Sequence, residues 1–142
     1  MTTKQATTPN ETRHPRVRIQ AGRQKRVRAG HPWVFSNEVD MTPETRALPP
    51  GGIVTLMDAG GAALGTATFS PHPLISARLL NGREDVAINR NYLARRITYA
   101  LNLREALFDA PFYRLVWSEA DRLPGLVIDR YGDTLVVQAN TA

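Results

Sequence analysis

The chain has 142 residues, 42% hydrophobic and 22% charged, enough for one compact domain or two small ones without disulfide or metal staples. With no cysteine it holds no disulfide framework, thiolate metal site or cysteine nucleophile of its own. The net charge of +5 is unevenly placed: residues 1–30 carry eight Lys/Arg against Glu11 alone, while the other 112 residues carry ten basic and twelve acidic groups. Sixteen of the 18 cations are Arg, whose planar fork matches phosphate and base edges better than an ammonium does. Such a concentration favours an anionic polymer as partner, with a merely solvated basic tail as the alternative. No segment approaches the roughly 20 apolar residues that span a bilayer, and Met1 to Glu11 lacks an apolar signal region. A soluble cytoplasmic protein with no membrane partner is expected.

Residues 1–13 show no apolar periodicity and are expected to form a disordered tail. Arg16-Val17-Arg18-Ile19 alternates basic and apolar residues, the pattern of a strand whose arginines share an outer face. Residues 23–29, RQKRVRA, predict a short basic helix anchored by Val27 and Ala29, with Gly30 where a helix C-cap belongs. Pro32 forces His31 into an extended conformation and places Trp33 and Phe35 on one side of the segment. Pro43, Pro49, Pro50, Gly51 and Gly52 mark a loop. Residues 53–57 and 62–69 are β-rich around the turn residues Asp58-Ala59-Gly60-Gly61, which predicts a hairpin. Residues 74–80 supply another strand, with Ile75, Ala77 and Leu79 on one face and Ser76 and Arg78 on the other.

The period then changes. Leu93, Ile97, Ala100, Leu101, Leu107 and Phe108 fall in one helical stripe after a capping Asn89 or Asn91, and Pro111 ends it. Residues 113–118, 126–130 and 134–138 return to strand patterns. The shift near 81–88 divides the chain into a β-rich unit, residues 14–82, and an α+β unit, residues 83–142, the second expected to be truncated.

Most catalytic signatures are absent. Residues 60–65, GGAALG, superficially resemble a nucleotide loop, but the β-formers after them exclude the helix N-terminus that pyrophosphate binding needs. There is no P-loop and no Gly-x-Ser-x-Gly elbow, and the three histidines have no ligand-like spacing, so no metal is expected. Glu119 and Asp121 would project from one face of a strand; the flanking arginines favour a structural charge network over acid–base chemistry. Arg104 lies about 20° from Leu93 on a helical wheel, inside the apolar stripe, and needs a partner from Glu119, Asp121 or Asp129.

The strongest candidate site is the basic helix with residues 30–37. Arg16, Arg18, Arg23, Lys25, Arg26, Arg28 and Arg78 are the candidate phosphate contacts. Trp33 either stacks on an unpaired base or fills the core of the small unit; for Phe35 the core is preferred. His31 either donates to a phosphate or satisfies a turn carbonyl, the second being favoured.

Residues 23–38, RQKRVRAGHPWVFSNE, resemble the opening of bacterial large-subunit ribosomal RNA cytosine-C5 methyltransferases that use S-adenosylmethionine. Residues 113–132, YRLVWSEADRLPGLVIDRYG, resemble the central region of the same family, and the likeness covers roughly residues 16 to 142. The resemblance implies an α+β chain: a PUA domain, which is a pseudo-barrel RNA-binding module, followed by the start of a central α+β domain. It implies a transferase acting in rRNA processing, with the cofactor loop and catalytic residue in a further domain, so no catalytic residue is assigned here. S-adenosylmethionine is expected only for the full-length protein, and ribosomal RNA is the expected partner. A stand-alone PUA-type RNA-binding protein, or an interaction module for an acidic protein, are the alternative readings.

Overall fold

A computed structural model describes residues 12–141. The expected N-terminal tail lies, except for Thr12 and Arg13, outside the described residues. The fold is mixed α+β, with a curled half-barrel sheet, one long helix and a further sheet.

The first sheet is ordered β1 (Arg16–Arg18), β3 (Gly52–Met57), β4 (Ala63–Phe69), β5 (Ile75–Asn81) and β2 (Trp33–Phe35). β1 runs parallel to β3, and the other pairings are antiparallel. The two edges curl toward each other: Ile19, just past β1, bridges Val39, just past β2, and the Asp40 N–H donates to the Arg18 carbonyl at 2.9 Å. Val17, Ile19, Val27, Val34, Leu56, Ala67 and Phe69 fill the interior. Helix α1 (Gln24–Arg28) sends only Val27 into that core. The expected loop after residue 42 contains a one-turn helix, α2 (Pro43–Arg46), capped by the Thr42 hydroxyl, which accepts the Thr45 N–H.

One expectation about the core is corrected. Phe35 is not a core residue, because the alternation of β2 gives the interior to Val34 and leaves Trp33 and Phe35 half-buried. On β5, Ser76 is fully buried, its hydroxyl turned to the Pro73 carbonyl at 3.1 Å, while Arg78 is half-buried.

Helix α3 (Arg90–Leu107) starts where the Asn89 side chain accepts the Tyr92 N–H. It lies on an antiparallel sheet of β6 (Phe112–Trp117), β7 (Leu126–Tyr131) and β8 (Thr134–Ala139). Its buried strip is narrower than the expected stripe. Ala100 is buried against Leu115, Val116 and Ile128, with Ile97 and Leu101 alongside. Leu93, Leu107 and Phe108 stay exposed, since three strands cover only one side of the helix. The segment holding Glu119 and Asp121 is a 3₁₀ turn (Ser118–Asp121) and not a strand, so the two carboxylates point to different partners.

The stretch between the sheets is stapled to the first one. Asp85 accepts from both Nη1 and Nη2 of Arg16 at 2.7 and 2.8 Å, from the His14 N–H at 3.0 Å and from the Thr55 hydroxyl at 3.1 Å. The Thr66 hydroxyl donates to the Arg83 carbonyl and accepts the Val86 N–H. The Arg16 guanidinium, aided by the His14 N–H, holds the Asp85 carboxyl at about 2, below its ordinary 3.8. A depressed carboxylate stabilises the fold above its ordinary pKa, and that contribution disappears as pH falls through the folded value. Thermal melts of wild type and Asp85→Asn should therefore differ by a constant amount above about pH 5 and converge between about pH 4 and 2. A difference that persists unchanged at about pH 2 would show that the clasp does not depend on the ionised carboxylate.

Candidate nucleic-acid interface

α1 is short, and its exit is fixed by hydrogen bonds to the last-turn carbonyls. Gly30 N–H donates to the Val27 carbonyl and His31 N–H to that of Arg26, both at 3.0 Å, with Gly30 at φ +93°. This is the left-handed helix stop that favours glycine. It turns the chain directly into β2, so the basic helix and Trp33 sit at the two ends of one tight corner. The His31 Nδ1 accepts the Trp33 N–H at 3.2 Å, which spends that nitrogen on the corner itself.

The residues expected to meet RNA fall into three groups. Arg18, Arg23 and Lys25 are exposed and have no carboxylate partner among the described residues. Arg26 and Arg28 are anchored but open. Arg26 meets Glu38 at 2.8 Å and lies 5.0 Å over the Phe35 ring, and Arg28 meets Asp58 at 2.5 Å. Their side chains remain 42% and 54% exposed, so each guanidinium is oriented by a nearly buried carboxylate while keeping donors toward solvent. Arg16, Trp33 and Arg78 turn to protein partners. Arg16 closes the Asp85 clasp; the Trp33 indole N–H donates to Glu119 Oε1 at 2.9 Å, and Arg78 approaches the same oxygen at 3.7 Å.

Glu119 thus joins the two sheets. Burial pushes its carboxyl up, but the hydrogen bonds from Ser118 and the Trp33 indole, with the nearby charge of Arg78, outweigh that and hold it below the ordinary glutamate value. Asp121 pairs with Arg104 at 2.7 Å and accepts the Trp117 N–H at 2.6 Å, while Asp129 is held by Arg114 at 2.8 Å. The three carboxylates therefore serve three separate arginines and do not form one network.

Sequence reading missed Arg122. It follows the 3₁₀ turn at φ +55° and lines a groove of about 550 Å³ between the end of α1, β4, β5 and that turn. Only its non-glycine left-handed backbone marks it, and no sequence pattern announces that.

Among the described residues no group of three or more His, Cys, Asp or Glu side chains is placed to hold a metal, and no helix is long and apolar enough to cross a membrane. The glycine-rich run at 60–65 is a hairpin turn feeding β4, so its amides enter a strand ladder and present no helix N-terminus to a cofactor.

Residues 17–81 match the model of the PUA-like domain family. Similar curated proteins are named Ribosomal RNA large subunit methyltransferase I. That of Pseudoalteromonas translucida is 36% identical over 129 residues, and that of Erwinia tasmaniensis is 38% identical over 130. Each match covers 89% of this chain and 32% of the relative, so the chain spans about a third of the length of the curated relatives it matches. Among solved structures, SMU.776, described as a methyltransferase complexed with SAH, aligns with a TM-score of 0.75 at 19% identity. That alignment covers 90% of this chain and 33% of the other. A Streptococcus mutans protein described as a SAM-dependent methyltransferase aligns with a TM-score of 0.72 at 20% identity, covering 89% of this chain and 33% of the other. At these identities the likeness shows a shared fold. The chain carries a PUA-like domain and is homologous, over most of its length, to part of the ribosomal RNA methyltransferases.

Proposed function

We propose that this chain, with its PUA-like domain over residues 17–81, is the RNA-recognising part of a large-subunit ribosomal RNA methyltransferase. Residues 14–82 hold structured ribosomal RNA, and residues 83–142 connect that grip to a catalytic domain outside these 142 residues. The reaction of the whole protein is transfer of a methyl group to cytosine C5. S-adenosylmethionine supplies that methyl when bound, but the described residues do not fit it: their one glycine-rich run is a β-turn, so no step of the transfer is assigned to them.

One observation carries the reading. Arg18, Arg23 and Lys25 stand exposed without carboxylate partners among the described residues, next to Arg26 and Arg28, which are half-exposed and already oriented by Glu38 and Asp58. Freely solvated cations supply the salt-dependent attraction to a phosphate backbone. Anchored guanidiniums add fixed donors whose ordering cost is met in the folded protein, so less is lost on binding. Trp33 and Arg78 serve this function indirectly, holding the RNA-facing unit against the second one through Glu119.

Binding of a large-subunit rRNA stem-loop, followed by fluorescence anisotropy across a salt series, tests this. The Arg18→Ala/Arg23→Ala/Lys25→Ala variant should lower the log–log salt slope by about 2, since each phosphate contact adds roughly 0.7 to 0.9 on the DNA coefficients. Its thermal stability should match wild type. Equal affinity of the variant and wild type at every salt concentration would remove these residues from the interface.

A further inference from the structure

The groove beside Arg122 has a chemistry that the cationic surface lacks. Its floor is apolar, made by Val27, Pro32, Leu64 and Leu79, and its rim carries Arg28 from α1 and Arg122 from the second unit. At about 550 Å³ it falls within the usual range of small-molecule sites, roughly 300 to 1,000 Å³. Both nearby acids are already engaged. Asp58 is spent on Arg28 and the Ala62 N–H, and Glu119 on Trp33 and Arg78. Arg122 is exposed and has no carboxylate partner among the described residues, so the charge left open at the rim is positive.

The backbone keeps Arg122 there. Its own N–H donates to the Glu119 carbonyl and the Leu123 N–H to that of Ser118, both at 3.0 Å, which locks the residue in the left-handed region. A side chain is disfavoured in that conformation, and such positions are retained where the surroundings over-determine them. The turn is itself tied down by Asp121, through Arg104 and the Trp117 N–H. A cation on a fixed backbone and an anchored one therefore line the same groove with its apolar floor.

A ligand for this groove has a flat apolar part and an anion. Duplex RNA presents the anion but keeps its bases stacked inside; an unpaired nucleotide presents both. We infer that the groove takes one unstacked nucleotide of the bound RNA, its base against the Leu64–Leu79 floor and its phosphate between Arg28 and Arg122. This rests on the RNA-binding reading above and narrows it: the outer cations hold the structured part, and the groove registers a single-stranded position next to it.

Two probes separate these roles: an rRNA stem-loop with an unpaired loop, and a blunt duplex of the same stem. In the full 142-residue chain, Arg122→Ala should bind the stem-loop roughly tenfold more weakly, as expected for a lost charge-assisted contact, and bind the duplex as wild type does. Ala120→Trp, at an exposed lining position, fills the groove without touching the core and should give the same selective loss. If both variants bind both probes like wild type, or lose both equally, the nucleotide site is overturned while the cationic surface stands. If wild type binds neither probe, the RNA reading falls with it.

Discussion

Asp121→Ala is expected to destabilise the chain by about 3–5 kcal/mol, the range found when one partner of a buried ion pair is removed. The Asp121 side chain is 6% exposed and that of Arg104 12%, and the two meet at 2.7 Å. Truncation leaves a nearly enclosed guanidinium with only the Arg114 carbonyl as acceptor and no countercharge, and it also strips the Trp117 N–H of its acceptor. Arg104→Met combined with Asp121→Asn should recover most of that loss, because the charge leaves with its partner and the amide oxygen still caps Trp117. Urea unfolding of the single and double variants measures both. A loss below about 1 kcal/mol for Asp121→Ala would place the pair in the weak, solvent-screened class. The consequence reaches the proposed nucleotide groove, since Asp121 ends the turn that holds Glu119 and leads into Arg122.

What was legible in the sequence was whatever local spacing controls. The alternation of residues 16–19, the glycine after the basic helix and the turn chemistry at 58–61 each specify a conformation through nearest neighbours, and β1, α1 and the β3–β4 hairpin follow them. Partnerships between distant residues were not legible. Trp33 and Glu119 are 86 positions apart, so whether the indole faces RNA or a carboxylate is decided by how the two sheets meet. The α3 stripe failed for a related reason. A wheel reports which residues share a side, but the width of the sheet beneath decides how many are covered, and here Leu107 is left 65% exposed while the charged Arg104 is enclosed. Similarly, charge counting found the basic end of the chain but could not tell the engaged Arg16 and Arg78 from the open Arg18 and Arg23.

The run of glycines at 60–65 gives the second large effect, and it separates two glycines that composition treats alike. Gly65 lies in β4 at φ +145°, and an added Cβ would overlap the Asn81 carbonyl oxygen and come within 2.9 Å of Leu79 Cδ1. The first obstacle is backbone of the paired strand, which cannot swing aside as a side chain does, and the dihedral is one that residues with a Cβ rarely adopt. Strain and overpacking each cost about 1–3 kcal/mol, so Gly65→Ala should destabilise by roughly 3–5 kcal/mol. Gly60, four positions earlier in sequence order than Leu64, meets only Asp58 Oδ1 at 3.4 Å, an ordinary contact, and Gly60→Ala should change stability by less than about 0.5 kcal/mol. Chemical denaturation of the two variants decides the point, and comparable losses would refute the close-approach account. Because Leu79 and Asn81 also line the groove below Arg122, milder crowding at this position should show first as weaker stem-loop binding, before global unfolding is measurable. The glycine that looked like part of a nucleotide loop is required instead by the packing of β4 on β5, and its bearing on the proposed nucleotide groove is to keep that floor in place.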